Sequence, residues 1–222
     1  GGNVLNDLYD QAIDQVNKPE KAWFQPDDQS KVWWMYGILN LLGWGIAWYV
    51  AIDIQYWHLN FLYPAAAGLL WLYSTQLKQQ SWYGNLLIAL FCGGVSLIVL
   101  YGEWESVQQL LKPDPKGDSY LILWMFWGYA AFAFITTLIR ELIKDLEDRE
   151  GDSQFGVQTY PVKFGFFRAK WLLRKQFWIL LGGLFVLSIL LFWNHFWIAG
   201  IILSCGLLIP SGILYLQMER AS

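Results

Sequence analysis

Long apolar stretches alternate with short polar ones along the whole chain. Six stretches approach spanning length: 33–52, 59–76, 84–101, 119–139, 177–193 and 196–216. A helix needs about 17–25 apolar residues to cross a bilayer, whereas a barrel strand is shorter and alternates. Unbroken apolar runs of this length predict helices, whose backbone groups are satisfied within each segment. The predicted fold class is therefore all-α, a polytopic transmembrane helical bundle forming a single domain over residues 1–222.

Composition agrees with this pattern. Hydrophobic residues make up 56% of the chain, which carries 15 Trp, 12 Tyr and 14 Phe, and the mean hydropathy is +0.32. Aromatics such as Trp33, Trp34, Trp124, Phe126 and Trp127 read mostly as interfacial belt and lipid-facing bulk. Gly68, Gly93, Gly94, Gly128, Gly182, Gly183, Gly200 and Gly206 are expected to let helices approach closely. Cys92 and Cys205 fall in separate spans and read as small apolar fillers rather than a disulfide or a thiolate site.

Charge orients the chain. Of the 15 Lys and Arg, 13 lie in segments 1–32, 77–83, 140–176 and 217–222. The opposite loops, 53–58, 102–118 and 194–195, hold only Lys112 and Lys116. The positive-inside rule places the first set in the cytoplasm. An integral protein of the cell's inner or plasma membrane is expected. Nucleic acid is not among its expected partners. Lys163, Arg168, Lys170, Arg174 and Lys175 read as topology determinants and contacts to anionic membrane lipids. His58 and His195 fall on the other side and read as ordinary loop residues.

Two acidic clusters lie on the cytoplasmic side. Asn6, Asp10 and Asp14 are four apart, so on a helix they stack on one face, about 6 Å of rise between neighbours. Asp145, Asp148 and Asp152 are three and four apart and also share a face. Carboxylates stacked this way repel unless cations sit between them. Oxygen-rich, sulfur-free sites suit Mg²⁺, which bridges to substrate phosphates. For either cluster alone, solvated helix ends paired with Lys18, Arg140, Lys144 or Arg149 would suffice. Two such clusters in a membrane protein point to chemistry on a lipid diphosphate.

Three segments carry a resemblance. The first is Asn6-Asp7-Leu8-Tyr9-Asp10-Gln11-Ala12-Ile13-Asp14, followed by Asn17-Lys18-Pro19. The second runs Arg140-Glu141-Leu142-Ile143-Lys144-Asp145-Leu146-Glu147-Asp148-Arg149-Glu150-Gly151-Asp152, then Gly156-Val157-Gln158-Thr159-Tyr160-Pro161. The third is Tyr73-Ser74-Thr75-Gln76-Leu77-Lys78 with Gly84-Asn85. In their order along the chain they resemble the UbiA superfamily of membrane prenyltransferases, closest in motif to the geranylgeranylglycerol-phosphate geranylgeranyltransferase branch. Two departures are visible: Lys21-Ala22 stands where the family usually has Arg-Pro, and Tyr160 where Leu is common. Lys keeps the charge of Arg but not its bidentate fork.

The resemblance implies a UbiA-type bundle and Mg²⁺-dependent transfer of a polyprenyl group from its diphosphate to a lipophilic acceptor. In the closest branch the prenyl group is geranylgeranyl and the acceptor a glycerol-phosphate ether lipid. It implies Asp10, Asp14, Asp148 and Asp152 as catalytic groups, which with Asp145 hold the metal. Asn6, Lys78, Arg140, Lys144, Lys18 and Lys21 are the implied diphosphate contacts. An aromatic acceptor of quinone, chlorophyll or haem biosynthesis uses variants of the same motifs. A non-catalytic lipid-phosphate binder or transporter is the alternative class, but transporters bury acids mid-span, whereas these sit at helix ends. Phosphotransfer to a CDP-alcohol needs one continuous acid and glycine motif, which is absent from the sequence.

Only five residues precede Asn6, too few for the body of a spanning helix. The expectation is a truncated chain lacking the family's first helix, with another helix beyond the tail Gln217-Met218-Glu219-Arg220. An exposed apolar groove beside the first motif is expected with it.

Overall fold

The structure, a computed structural model, describes Val4, residues 29–111 and residues 120–220. The first acidic motif, with Asn6, Asp10, Asp14, Lys18 and Lys21, lies outside the described residues. The described part is helical nearly throughout, as the apolar runs predict.

Helix α1 spans Gln29–Asp53, and α2 spans Leu62–Thr75 after a 3-10 turn, Trp57–Phe61. Helix α3 covers Tyr83–Gly102, the short α4 Trp104–Leu111, and α5 Tyr120–Glu147. Two short helices, α6 (Arg149–Gln154) and α7 (Tyr160–Phe164), precede the long α8, Phe166–Trp193. The last span is α9 (Trp197–Leu203), a π-helical turn Ser204–Leu208, and α10 (Ile209–Arg220).

Five of the six apolar runs form helices long and apolar enough to cross a membrane. The run 59–76 differs. Its α-helix has 14 residues, short of a span on its own, but it continues directly from a five-residue 3-10 turn. Together these rise about 30 Å, because the 3-10 geometry stretches each residue further.

The core is built by three helices. Of the apolar windows of α3, α5 and α8, 22%, 22% and 28% is buried, against 6% for α1 and for the last span. Helices α3 and α5 run antiparallel and meet at three levels. Near one end Asn85 reaches Asp145. In the middle a Cβ on Gly93 would come 2.8 Å from the Ala130 carbonyl oxygen, so only glycine permits this approach. Further along, the Ser96 hydroxyl donates to the Phe126 carbonyl at 3.3 Å, as small and hydroxylated residues do between membrane helices. Ile139 and Leu142 of α5 then pack with Ala169, Leu173, Phe177, Leu180 and Leu184 of α8.

Particular side chains attach the outer helices. The Tyr63 ring of α2 packs over Gly43 of α1. Arg174 of α8 grips both carboxylate oxygens of Glu219 on α10, and Phe192 lies against Gly200. Trp33, Trp34, Trp124 and Trp127 are all exposed, as lipid-facing aromatics should be. At the start of α8, Lys175 stacks on Trp171 with its nitrogen 3.6 Å from the ring centre, a cation–π pair suited to a membrane interface.

Several small-residue expectations need correction. Of the eight glycines expected at helix contacts, Gly93 and Gly200 are the two whose Cβ would meet a neighbour among the described residues; around the other six, those residues leave open space. Cys92 and Cys205 are free and exposed, so they face outward instead of filling gaps. Helix periodicity, invisible in a continuously apolar run, decides which way each points. His58 is also more than a loop residue: its Nε2 lies 2.9 Å from the Tyr101 hydroxyl.

Candidate active site

The two resemblance segments that can be followed in the structure converge at one end of the bundle. Helix α2 ends in a 3-10 turn, Leu77–Gln79, that carries Lys78. Strand β1 (Gln80–Ser81) comes next and pairs in parallel with β2 (Gln158–Thr159), in the register Gln80↔Gln158 and Ser81↔Thr159. This bridge ties the Lys78 turn to the segment after the acidic cluster, although about eighty residues separate them in sequence.

Gly84 is needed for the same closure. A Cβ there would lie 3.0 Å from Tyr73 Cε2, 3.1 Å from the Leu77 carbonyl oxygen and 3.3 Å from Lys78 Cα. The first turn of α3 thus presses on the Lys78 turn with no room for a side chain. Next to it, Asn85 Nδ2 donates a 2.7 Å hydrogen bond to Asp145 Oδ2. Asn85 was visible in the sequence only as the partner of Gly84 in a loop motif; the structure gives it the task of holding a carboxylate.

The acidic stripe continues across a bend. Helix α5 stops at Glu147 and α6 starts at Arg149, yet the Asp148 amide still donates to Lys144 and the Asp152 amide to Asp148. Helical spacing is therefore retained from 141 to 152. Glu141, Asp145, Asp148 and Asp152, spaced four, three and four apart, form one face. Glu141 is 6% exposed and Asp152 7% exposed. Asp145 feels both as like charges and Lys144 as an opposite one. Glu141 was not singled out by its sequence; it reads there as a carboxylate beside Arg140, and only burial distinguishes it.

A helix-terminating motif fixes the path of the chain beyond the stripe. Gly156 has φ +72°, the Val157 amide donates to the Asp152 carbonyl, and the Gly156 amide to that of Ser153. This is the Schellman arrangement, which glycine in the left-handed region makes possible. It returns the chain so that Val157, Thr159 and Pro161 are buried while Gln158 is exposed.

Not every expected residue joins the stripe. Arg140 Nη1 sits 3.0 Å from Glu141 Oε1, and its side chain is 74% exposed. It stands at the rim and steadies Glu141. The Arg149 guanidinium lies over the Phe166 ring at 5.9 Å, linking α6 to the start of α8. Among the described residues no group of three or more His, Cys, Asp or Glu is close enough to hold a metal; Asp10 and Asp14 are not among those residues. The donors present do fit a hard cation. They are all carboxylate oxygens, and mutual repulsion along the stripe is what a divalent ion would relieve.

A shallow groove of about 520 Å³ lies between α1 and α2, lined by residues that include Tyr36, Leu41, Trp44, Tyr63, Ala67 and Trp71. Its walls are almost wholly apolar; the groove expected beside the first motif is a separate matter, because that motif lies outside the described residues. Helix α2, one of its walls, leads directly into the Lys78 turn.

The chain resembles several proteins named digeranylgeranylglyceryl phosphate synthase. That of Thermococcus sibiricus is 32% identical over 166 residues, 74% of this chain and 51% of the relative. The Methanospirillum hungatei relative is 29% identical over 219 residues, 96% of this chain and 69% of its own length. For Saccharolobus solfataricus the values are 31%, 96% and 68%. The chain thus spans from about half to about two thirds of the length of these relatives. No solved structure matches it significantly. The profile of the UbiA prenyltransferase family matches residues 1–222, and with the membrane-spanning bundle and its acidic stripe in view, the chain belongs to that family of integral membrane proteins.

Proposed function

We propose that this protein transfers a polyprenyl group from its diphosphate to a lipid-soluble acceptor, a glycerol-phosphate ether lipid, with Mg²⁺ bound at the acidic end of the bundle. The observation that carries this reading is the convergence on one end of the Lys78 turn, Asn85 and the stripe Asp145–Asp152. The names of the relatives support the acceptor class. This end faces the cytoplasm in the proposal, in line with the distribution of Lys and Arg.

The barrier in prenyl transfer is charge: negative on the departing diphosphate, positive on the allylic carbon. Asp145, Asp148 and Asp152, joined by Asp10 and Asp14 of the first motif, would hold the metal. When bound, Mg²⁺ neutralises the leaving group. Lys78, Lys144 and the rim residue Arg140, with Asn6, Lys18 and Lys21, bind the diphosphate oxygens and stabilise the charge that grows on them. Asn85 fixes Asp145 in one rotamer, so the donor set needs little reorganisation. The acceptor's hydroxyl oxygen bonds to C1 as the C1–O bond to diphosphate breaks; that electron pair leaves with diphosphate, and the hydroxyl proton passes to a diphosphate oxygen or to water. The apolar groove between α1 and α2 offers a place for hydrocarbon, within the usual size range of ligand pockets, and its α2 wall runs to the polar end.

The test is turnover by the full-length protein in lipid nanodiscs with labelled geranylgeranyl diphosphate, Mg²⁺ and two acceptor classes. Labelled product is expected with a singly prenylated glycerol phosphate and not with aromatic acids. Product from the aromatic class only would overturn the acceptor, and tight diphosphate binding without turnover would overturn the enzyme.

A further inference from the structure

Thr159 stands where helix physics provides a ready explanation, and that explanation fails. It is the N-cap residue of α7, a position where Thr is favoured because its hydroxyl accepts a backbone N–H from the first turn. Here the hydroxyl makes no capping bond, and Pro161 occupies the first turn, where its ring nitrogen has no hydrogen to give.

Packing does not explain the residue either. Val157, Thr159 and Pro161 form the buried side of this strap, with Gln158 exposed between them. Valine would fill position 159 with the same β-branched shape and no polar atom. Thr159 is 5% exposed, and its Oγ1 has no hydrogen-bond partner among the described residues. A buried, unsatisfied hydroxyl destabilises a fold, so an unfilled one at a functional end points to a ligand.

Its location narrows the ligand. Strand β2 packs against the Lys78 turn and against α6, the helix that carries Asp152. The register places Thr159 beside Ser81, three residues after Lys78. The hydroxyl thus sits in the strap joining the cationic and acidic parts of the site.

We infer that Thr159 is a substrate-binding residue whose hydroxyl donates to a phosphate oxygen of the prenyl diphosphate. The inference rests on the prenyl-transfer reading above. It makes an unusual demand: removing the hydroxyl weakens substrate binding without harming the fold.

The experiment compares wild type, Thr159→Val and Thr159→Ser in nanodiscs. It measures KM for geranylgeranyl diphosphate and kcat at saturating acceptor, direct binding of the same diphosphate, and thermal stability. Thr159→Val is expected to raise KM and the dissociation constant roughly tenfold, the loss typical of one hydrogen bond to a charged group. Its kcat should stay within about twofold and its Tm should equal or exceed wild type. Thr159→Ser should restore binding to within about twofold. A Thr159→Val protein with unchanged binding overturns the assignment, and with a lowered Tm as well it reveals a hydroxyl satisfied by buried water. If wild type shows no turnover, the prenyl-transfer reading fails, and the binding measurement still decides the role of Thr159.

Discussion

At the end of the bundle away from the acidic stripe, the Tyr56 hydroxyl lies 3.4 Å from Glu105, and His58 lies 2.9 Å from Tyr101. Both pairs are exposed, within a group of aromatic rings packed at centroid distances of 5.7–5.9 Å. At the acidic end, Asn85 holds Asp145 at 2.7 Å, and Glu141, Asp152 and Thr159 are each at most 7% exposed. Both ends contain carboxylates and hydrogen-bond donors. Exposed polar pairs exchange readily with water, and each is worth little. Buried ones are costly unless satisfied, and the field between them is strong. Four carboxylates on one partly buried face repel one another, and a bound cation would relieve that repulsion. The far end reads as a solvated cap joining helices.

This contrast can be broken by substitution. Asp152→Asn removes one ligand charge and keeps the shape. Turnover should fall by at least about a hundredfold, the scale on which a missing charge-stabilising group is felt, while Tm stays within a few degrees. Scintillation counting of labelled product and a thermal scan read both. Near-normal turnover would make the stripe no more than a solvated helix end.

Gly84→Val is a smaller perturbation of the same end. Its side chain must displace Tyr73 or the Leu77–Lys78 backbone, at a cost of roughly 1–3 kcal/mol for overpacking. The Lys78 turn should shift, and KM for the diphosphate should rise more than kcat falls. An unchanged KM would uncouple Lys78 from the site.

The smallest effect belongs to the far end. Tyr101→Phe deletes the hydroxyl that meets His58 and should alter stability by no more than about 0.5 kcal/mol, with activity within about twofold. A loss comparable to that of Asp152→Asn would erase the distinction between the two ends.

Much of this was legible in the chain. Apolar run length specified five of the spanning helices, and three-and-four spacing placed Asp145, Asp148 and Asp152 on one face. Gly156 stood in the sequence only as part of a motif; its left-handed φ, which glycine reaches cheaply, is a finding of the structure. The features that could not be read were long-range. Nothing in Gln80-Ser81 announces a bridge to Gln158-Thr159, because two-residue strands leave no periodicity. Glu141 and Thr159 differ from surface residues only by burial, a property of the packed bundle. The outward orientation of Cys92 and of six glycines was hidden because a uniformly apolar helix shows no face.

The claim that the acidic end is a metal-assisted diphosphate site is tested most directly by binding without turnover. Geranylgeranyl diphosphate is titrated into the full-length protein in nanodiscs, with no acceptor, in Mg²⁺ and then in excess chelator. The same titration is run on Asp145→Asn/Asp152→Asn. Binding is expected to be tight in wild type with Mg²⁺, at least about tenfold weaker after chelation, and equally weak in the double variant with or without metal. Equal affinity in all four titrations would contradict the account.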